Sequence, residues 1–150
     1  ELEMLAQMDH ELNAQLDLDQ ALEITHRWIA RQSKADKVQI VFAEEGNLEG
    51  QVVMYPPGNT GYKDASVQRA ISELSVVHLE PAGDLPARLV IPIIHSQRLL
   101  GVVLIERARY FEEAETGFLS HMVERSAAAI QNARLYQSVE RMSEAKTQFV

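Results

Sequence analysis

In the first sixteen positions apolar residues recur at three- and four-residue steps. Leu5, Met8, Leu12 and Leu16 form one narrow line between acids and glutamines, the spacing of a helix with a single apolar face. Asp17 or Asp19 can cap a second helix, because a carboxylate there accepts from the free N–H groups of the first turn. Its face is Leu18, Ala21, Leu22, Thr25, Trp28 and Ile29, and it decays into the polar run Gln32–Asp36. From Lys37 the period becomes two. Val38–Phe42 is β-branched and aromatic, Glu44-Glu45-Gly46-Asn47 interrupts it, and Gln51–Tyr55 resumes it, which predicts an antiparallel hairpin. Pro56–Gly61 is the densest run of breakers and predicts a loop.

Ser66 can cap a short helix with Val67, Ala70, Ile71 and Leu74 on one face. Val76–Leu79 reads as a third strand, Pro81–Pro86 as a second loop, and Arg88–Ile94 and Leu99–Arg107 as two strands joined through His95–Arg98. The last two are apolar at consecutive positions, so both their faces are covered. From about Glu112 the chain is helical to its end. Phe118, Leu119, Met122, Val123, Ala127, Ile130 and Ala133 make a core face; Leu135, Val139, Met142 and Phe149 continue a narrower stripe that Lys146 interrupts. A pattern this long suggests an interdomain helix or coiled coil. Leu5, Met8 and Leu12, together with Leu135, Val139, Met142 and Phe149, are the candidates for a homodimer and relay surface, because a stripe beyond the domain must be buried on a partner.

Composition narrows the function. The 150 residues fit one domain of the usual size. Fourteen Lys and Arg against twenty-two Asp and Glu leave a net charge of −8, without the basic footprint of a nucleic-acid binder. With no cysteine, disulfides, Cys-ligated metals, thiolate nucleophiles and thioether-linked chromophores are excluded. The longest apolar runs, Leu89–Ile94 and Leu99–Ile105, fall short of the roughly 20 residues of a membrane-spanning helix. Glu1 in place of an initiating Met suggests a piece of a longer protein.

One stretch is familiar. Arg88-Leu89-Val90-Ile91-Pro92-Ile93, then Leu100-Gly101-Val102-Val103-Leu104-Ile105, Phe111–Glu115 and the ending Ala127-Ala128-Ala129-Ile130-Gln131-Asn132-Ala133-Arg134-Leu135-Tyr136 resemble the GAF domain. Leu16-Asp17-Leu18-Asp19 resembles its opening, so the resemblance covers roughly residues 10 to 137. The tail Lys146-Thr147-Gln148-Phe149 is similar to the stretch ahead of the phosphoacceptor helix of sensor histidine kinases. The resemblance implies an α+β fold: a central antiparallel sheet of about five or six strands, with N- and C-terminal helices on one face and a short helix and loops on the other. It implies a linker helix at 1–16, the GAF domain at 17–137 and a signalling helix at 138–150, from a cytoplasmic two-component kinase. A PAS domain is the rival at the level of fold, disfavoured by the paired terminal helices. A covalent bilin and methionine sulfoxide reduction both need cysteine, and of the Asn-Lys…Phe…Asp-Glu signature of cyclic-nucleotide GAF domains Phe111 and Glu112-Glu113 are present without the Asn-Lys pair or the Asp-Glu spacing.

Catalytic and metal readings find little support. His10, His26, His78, His95 and His121 lack ligand spacing, Glu44-Glu45 and Glu112–Glu115 read as solvated acids, with the latter well placed at a helix N-terminus, and the expectation is no catalytic or metal site. Against the second sheet face the GAF architecture places a pocket for an unknown ligand. Its wall candidates are Phe42, Met54, Tyr55, Ile71, Leu74, His78 and Ile91, with Arg69 or Arg88 available to an anionic group. The same residues can instead interdigitate as a packed core. Two functions therefore stand: a small-molecule sensor that acts through its C-terminal helix, and a ligand-free structural dimerisation and relay domain.

Overall fold

A computed structural model describes residues 2–13, 17–43, 48, 52–58 and 64–148, with the backbone alone for 2, 137–141 and 143–148. In chain order it places α1 (Leu2–Leu12), α2 (Leu18–Ser33), β1 (Lys37–Ala43), β2 (Val52–Tyr55), α3 (Ala65–Glu73), β3 (Val77–Leu79), β4 (Ala87–His95), β5 (Arg98–Arg107) and α4 (Glu113–Gln148). The five strands form one antiparallel sheet in the order β2-β1-β5-β4-β3. Helices α1, α2 and α4 cover one face and α3 the other. This is the α+β arrangement the sequence predicts.

Local chemistry sets the boundaries. Asp17 caps α2 in a reciprocal box: its carboxylate accepts from the Gln20 amide at 2.8 Å, and the Gln20 side chain accepts from the Asp17 amide at 3.0 Å. Lys34 ends the helix in the left-handed region. At α3 the expected cap is displaced by two residues. Asp64, not Ser66, accepts from the Val67 amide at 3.1 Å, and the Ser66 hydroxyl donates to the same carboxylate oxygen at 2.6 Å. Ser66 thus lies within the first turn as a buried residue. The β4–β5 hairpin turns on Ser96 and Gln97, both at positive φ, as a two-residue loop between paired His95 and Arg98 requires.

The two sheet faces carry separate cores. Val38, Ile40 and Phe42 of β1, Leu89, Ile91 and Ile93 of β4, and Val103 and Ile105 of β5 pack beneath α2 and α4. Val41, Val90, Val102 and Leu104 point the other way and meet Val67 and Ala70 of α3. Alternation along each strand produces this split.

The first helix corrects one expectation. Met8 and Leu12 are buried inside the protomer, and Leu5 packs half-buried beside them. Polar clamps fix this docking: the Trp28 indole donates to Glu11 at 3.1 Å, and Arg125 of α4 pairs with Asp9 at 2.5 Å. The face assigned to dimerisation is used within the chain, because α2 and α4 together present an apolar groove that would otherwise stay open. On α4 the core face ends at Ala133, and Leu135, Tyr136 and Met142 are exposed beyond it. Phe149 and the side chain of Val139, the other members of that stripe, lie outside the described residues, as do Leu16, Glu44 and Glu45.

Candidate functional site

The second sheet face answers the choice between cavity and packed core differently at its two ends. Beneath the middle of α3 it is filled: Val67 and Ala70 press onto Val41, Val90 and Val102, with Met54 and Ile71 at the margin. Beside the N-terminus of α3 it opens into a cleft of about 540 Å³, within the size range of small-molecule sites. Asp64, Ala65 and Ser66 form one wall, Arg88 and Glu106 the floor, and Leu79, Glu80, Leu85 and Pro86 the opposite lip.

Of the nine wall candidates, only Arg88 lines this cleft. Met54 and Ile71 share its sheet face but border the packed part. Phe42, Tyr55 and Ile91 lie on the opposite face, under α2 and α4. His78 points to that side too, its ring 4.9 Å from Tyr110 and 5.8 Å from Phe111. Leu74 is the exposed left-handed C-cap of α3, and Arg69 stands in solvent on Glu73, one turn away. Adjacent residues of a strand face opposite ways, so Met54 and Tyr55 cannot wall the same cavity.

Arg88 is not free for an anionic ligand. Its guanidinium pairs with Asp64, donates to the Ser66 hydroxyl oxygen at 3.0 Å and lies 3.7 Å from Glu106. Lys37 approaches Glu106 from outside at 3.8 Å. Asp64 therefore does two things at once: one carboxylate oxygen caps α3 and the other holds the floor of the cleft. Among the described residues Asp64, Glu80 and Glu106 stand against Arg88 in the lining, which is acidic, while Leu79, Leu85 and Pro86 offer apolar contact. Glu106 escaped the sequence reading: counting outward from the His95–Arg98 turn puts Arg88 opposite Ile105, and only a register shift at Ile93/Ile94 brings Glu106 there.

Elsewhere Glu115 and His26 have structural partners. The Glu115 carboxylate, expected in solvent, accepts from Arg107 at 2.8 Å and from the Glu112 amide at 3.2 Å. These bonds, the Arg107 hydrogen bond foremost, hold it below the ordinary carboxylate range against the opposing effect of burial. Arg107 is itself buried and also donates to the carbonyls of Ser33, Arg109 and Tyr110. It thus ties the end of α2, the end of β5 and the start of α4 together. His26 hydrogen-bonds the Val38 carbonyl at 2.9 Å, and His10 and His121 are exposed. Among the described residues no cluster of three or more His, Asp or Glu side chains could hold a metal ion, and no helix is long and apolar enough to cross a membrane.

The fold is that of GAF domains. The GAF domain of a phosphoenolpyruvate-protein phosphotransferase from Coxiella burnetii superposes with a TM-score of 0.74 at 21% identity, covering 91% of this chain and 96% of that one. The GAF domain of the potassium sensor histidine kinase KdpD from Escherichia coli gives 0.67 at 16% identity, covering 93% and 99%. A free methionine-R-sulfoxide reductase from Neisseria meningitidis, solved in complex with its substrate, also gives 0.67, at 12% identity over 89% and 90%. No protein-family model matches the sequence, and no curated protein matches it. The likeness thus fixes the fold, and function rests on the chain's own residues.

Proposed function

We propose that the chain is a regulatory sensor domain that binds a small molecule in the Arg88 cleft and reports occupancy through α4 to a histidine kinase region. The observation that carries this reading is the double role of α4. About four of its turns, from Leu119 to Ala133, wall the sheet's core, and the same unbroken helix runs on to Gln148. A rigid helix that is both part of a domain and its exit can export a change in that domain. A ligand shifts the helix only by its differential affinity for two states. KdpD, a sensor kinase whose GAF domain shares the fold, and the kinase-like tail Lys146–Phe149 support the parent. The non-enzymatic part of the reading rests on the cleft's side chains: its carboxylates are paired or open to water, and the Ser66 hydroxyl is tied up between Asp64 and Arg88 with no histidine among the described lining residues to activate it.

Native mass spectrometry of the purified chain tests it. An added mass of small-molecule size, lost on denaturation, is the expected result; bare protein across a panel of metabolite additions overturns the ligand. A second reading, a ligand-free dimerisation and relay domain, draws on the exposure of Leu135 and Met142, seven residues apart on one helix face. Bare dimers would favour it.

A further inference from the structure

We infer that strand β3 is the mechanical link between the cleft and the start of α4. The inference rests on the sensor reading above and concerns how its cleft would be heard by the helix. Leu79 lines the cleft and pairs in register with Arg88, the cleft's floor. One residue earlier, His78 faces the other side of the sheet and lays its ring on Tyr110 and Phe111. The Phe111 ring lies 4.1 Å beneath the guanidinium of Arg107, and Arg107 holds Glu115 in the opening turn of α4. Each step is a direct contact, so no gap has to be bridged by assumption.

Two features make β3 able to move. It is an edge strand, hydrogen-bonded among the described residues on one side only, through the three pairs Val77–Val90, His78–Leu89 and Leu79–Arg88. The buried Nε2 of His78 has no hydrogen-bond partner among the described residues. The joint to Tyr110 and Phe111 is therefore ring contact, which slides, rather than a directional bond that would fix it. A ligand pressing on Leu79 would displace His78 with it and alter how Phe111 supports Arg107. The two states are Glu115 docked on Arg107 and Glu115 released. Coupling between the two ends is a measurable free energy, and the test reads it directly.

Hydrogen–deuterium exchange of the α4 opening turn is measured in the intact chain, with Leu79→Asn, Phe111→Leu and the double variant. A Leu85→Asn control touches the same cleft from the loop. Leu79→Asn should raise exchange about tenfold at the Glu112 and Thr116 amides, which donate to the Glu115 carboxylate and the Glu112 carbonyl, and Leu85→Asn should leave it near the parent. In the Phe111→Leu background Leu79→Asn should add less than about twofold. If Phe111→Leu does not fold, His78→Leu interrupts the same contact. Unchanged exchange in Leu79→Asn, or full additivity in the double variant, overturns the link. No ligand enters this experiment, so a failed ligand search and a failed link give distinct results.

Discussion

Arg107 Nη2 donates to Glu115 Oε1 at 2.8 Å, with Arg107 almost wholly enclosed and Glu115 partly open to water. The bond closes the junction between β5 and α4, and the same carboxylate oxygen receives the Glu112 amide. Glu115 is thus a helix-capping acid fastened to the sheet.

Its protonation should weaken the fold. Glu115 sits below its ordinary value of 4.5 in the folded chain. A carboxyl with a lower pKa when folded contributes stability above its unfolded pKa and loses it as pH falls through the folded one. Glu11 behaves alike, held down first by the Trp28 indole and also by Arg27. Glu115→Gln should cost about 1–2 kcal/mol at neutral pH and lose less further stability than the parent as pH drops below 4.5. Urea titrations at several pH values check this; parallel pH profiles for the two chains would refute the assignment.

Two glycines should respond in opposite directions to alanine. Gly101 lies in β5 opposite Phe42, and a Cβ there would run into the Val41 carbonyl oxygen and the Phe42 backbone. Backbone cannot swing aside as a side chain can, so Gly101→Ala should destabilise by about 3 kcal/mol. Gly117 sits exposed in α4 with open space where its Cβ would stand, and Gly117→Ala should stabilise by about 1 kcal/mol. Thermal melts of the two variants settle both signs.

The glycines also mark how far the sequence could be read. Helix and strand order follow from period alone, because Val38, Ile40 and Phe42 alternate with Gln39 and Val41 whatever surrounds them. The doubly covered sheet was equally legible in Val102–Ile105, which supply both cores. The site was not. Strand parity separates Met54 from Tyr55, yet it does not say which of them faces α3. The cleft, moreover, arises from where α3 begins, which Asp64 decides. Its partner Arg88 stands 24 residues away, and no local pattern connects them. The α1 face failed for a related reason: an apolar stripe states that it must be buried, not whether a neighbour or a second chain buries it.

The Asp64–Arg88 pair gives a direct test of the cleft's construction. Asp64→Asn keeps an oxygen to cap α3 but removes the charge facing Arg88, so its cost should come from the ion pair rather than from the helix end. Because Asp64 is substantially exposed, the coupling in a cycle with Arg88→Met should be modest, about 0.5–1 kcal/mol. Asp64→Ala should cost about 1 kcal/mol more than Asp64→Asn through loss of the cap. Equal stability of the Asn and Ala variants would mean that the carboxylate does not cap α3.

The exit helix carries the last expectation. Leu135 and Met142 are separated by two helical turns and exposed on one side of α4, where an apolar pair at heptad spacing is stabilised by a second copy. Leu135→Glu with Met142→Glu would place like charges against each other across such a contact. Sedimentation equilibrium should then show a dimer at low micromolar concentration in the parent and a monomer in the double variant. The thermal midpoint of the isolated fold should barely move, because neither side chain belongs to the core that ends at Ala133. A parent chain that is monomeric throughout would remove the dimerisation reading, and an unaffected dimer in the variant would place its interface elsewhere on the molecule.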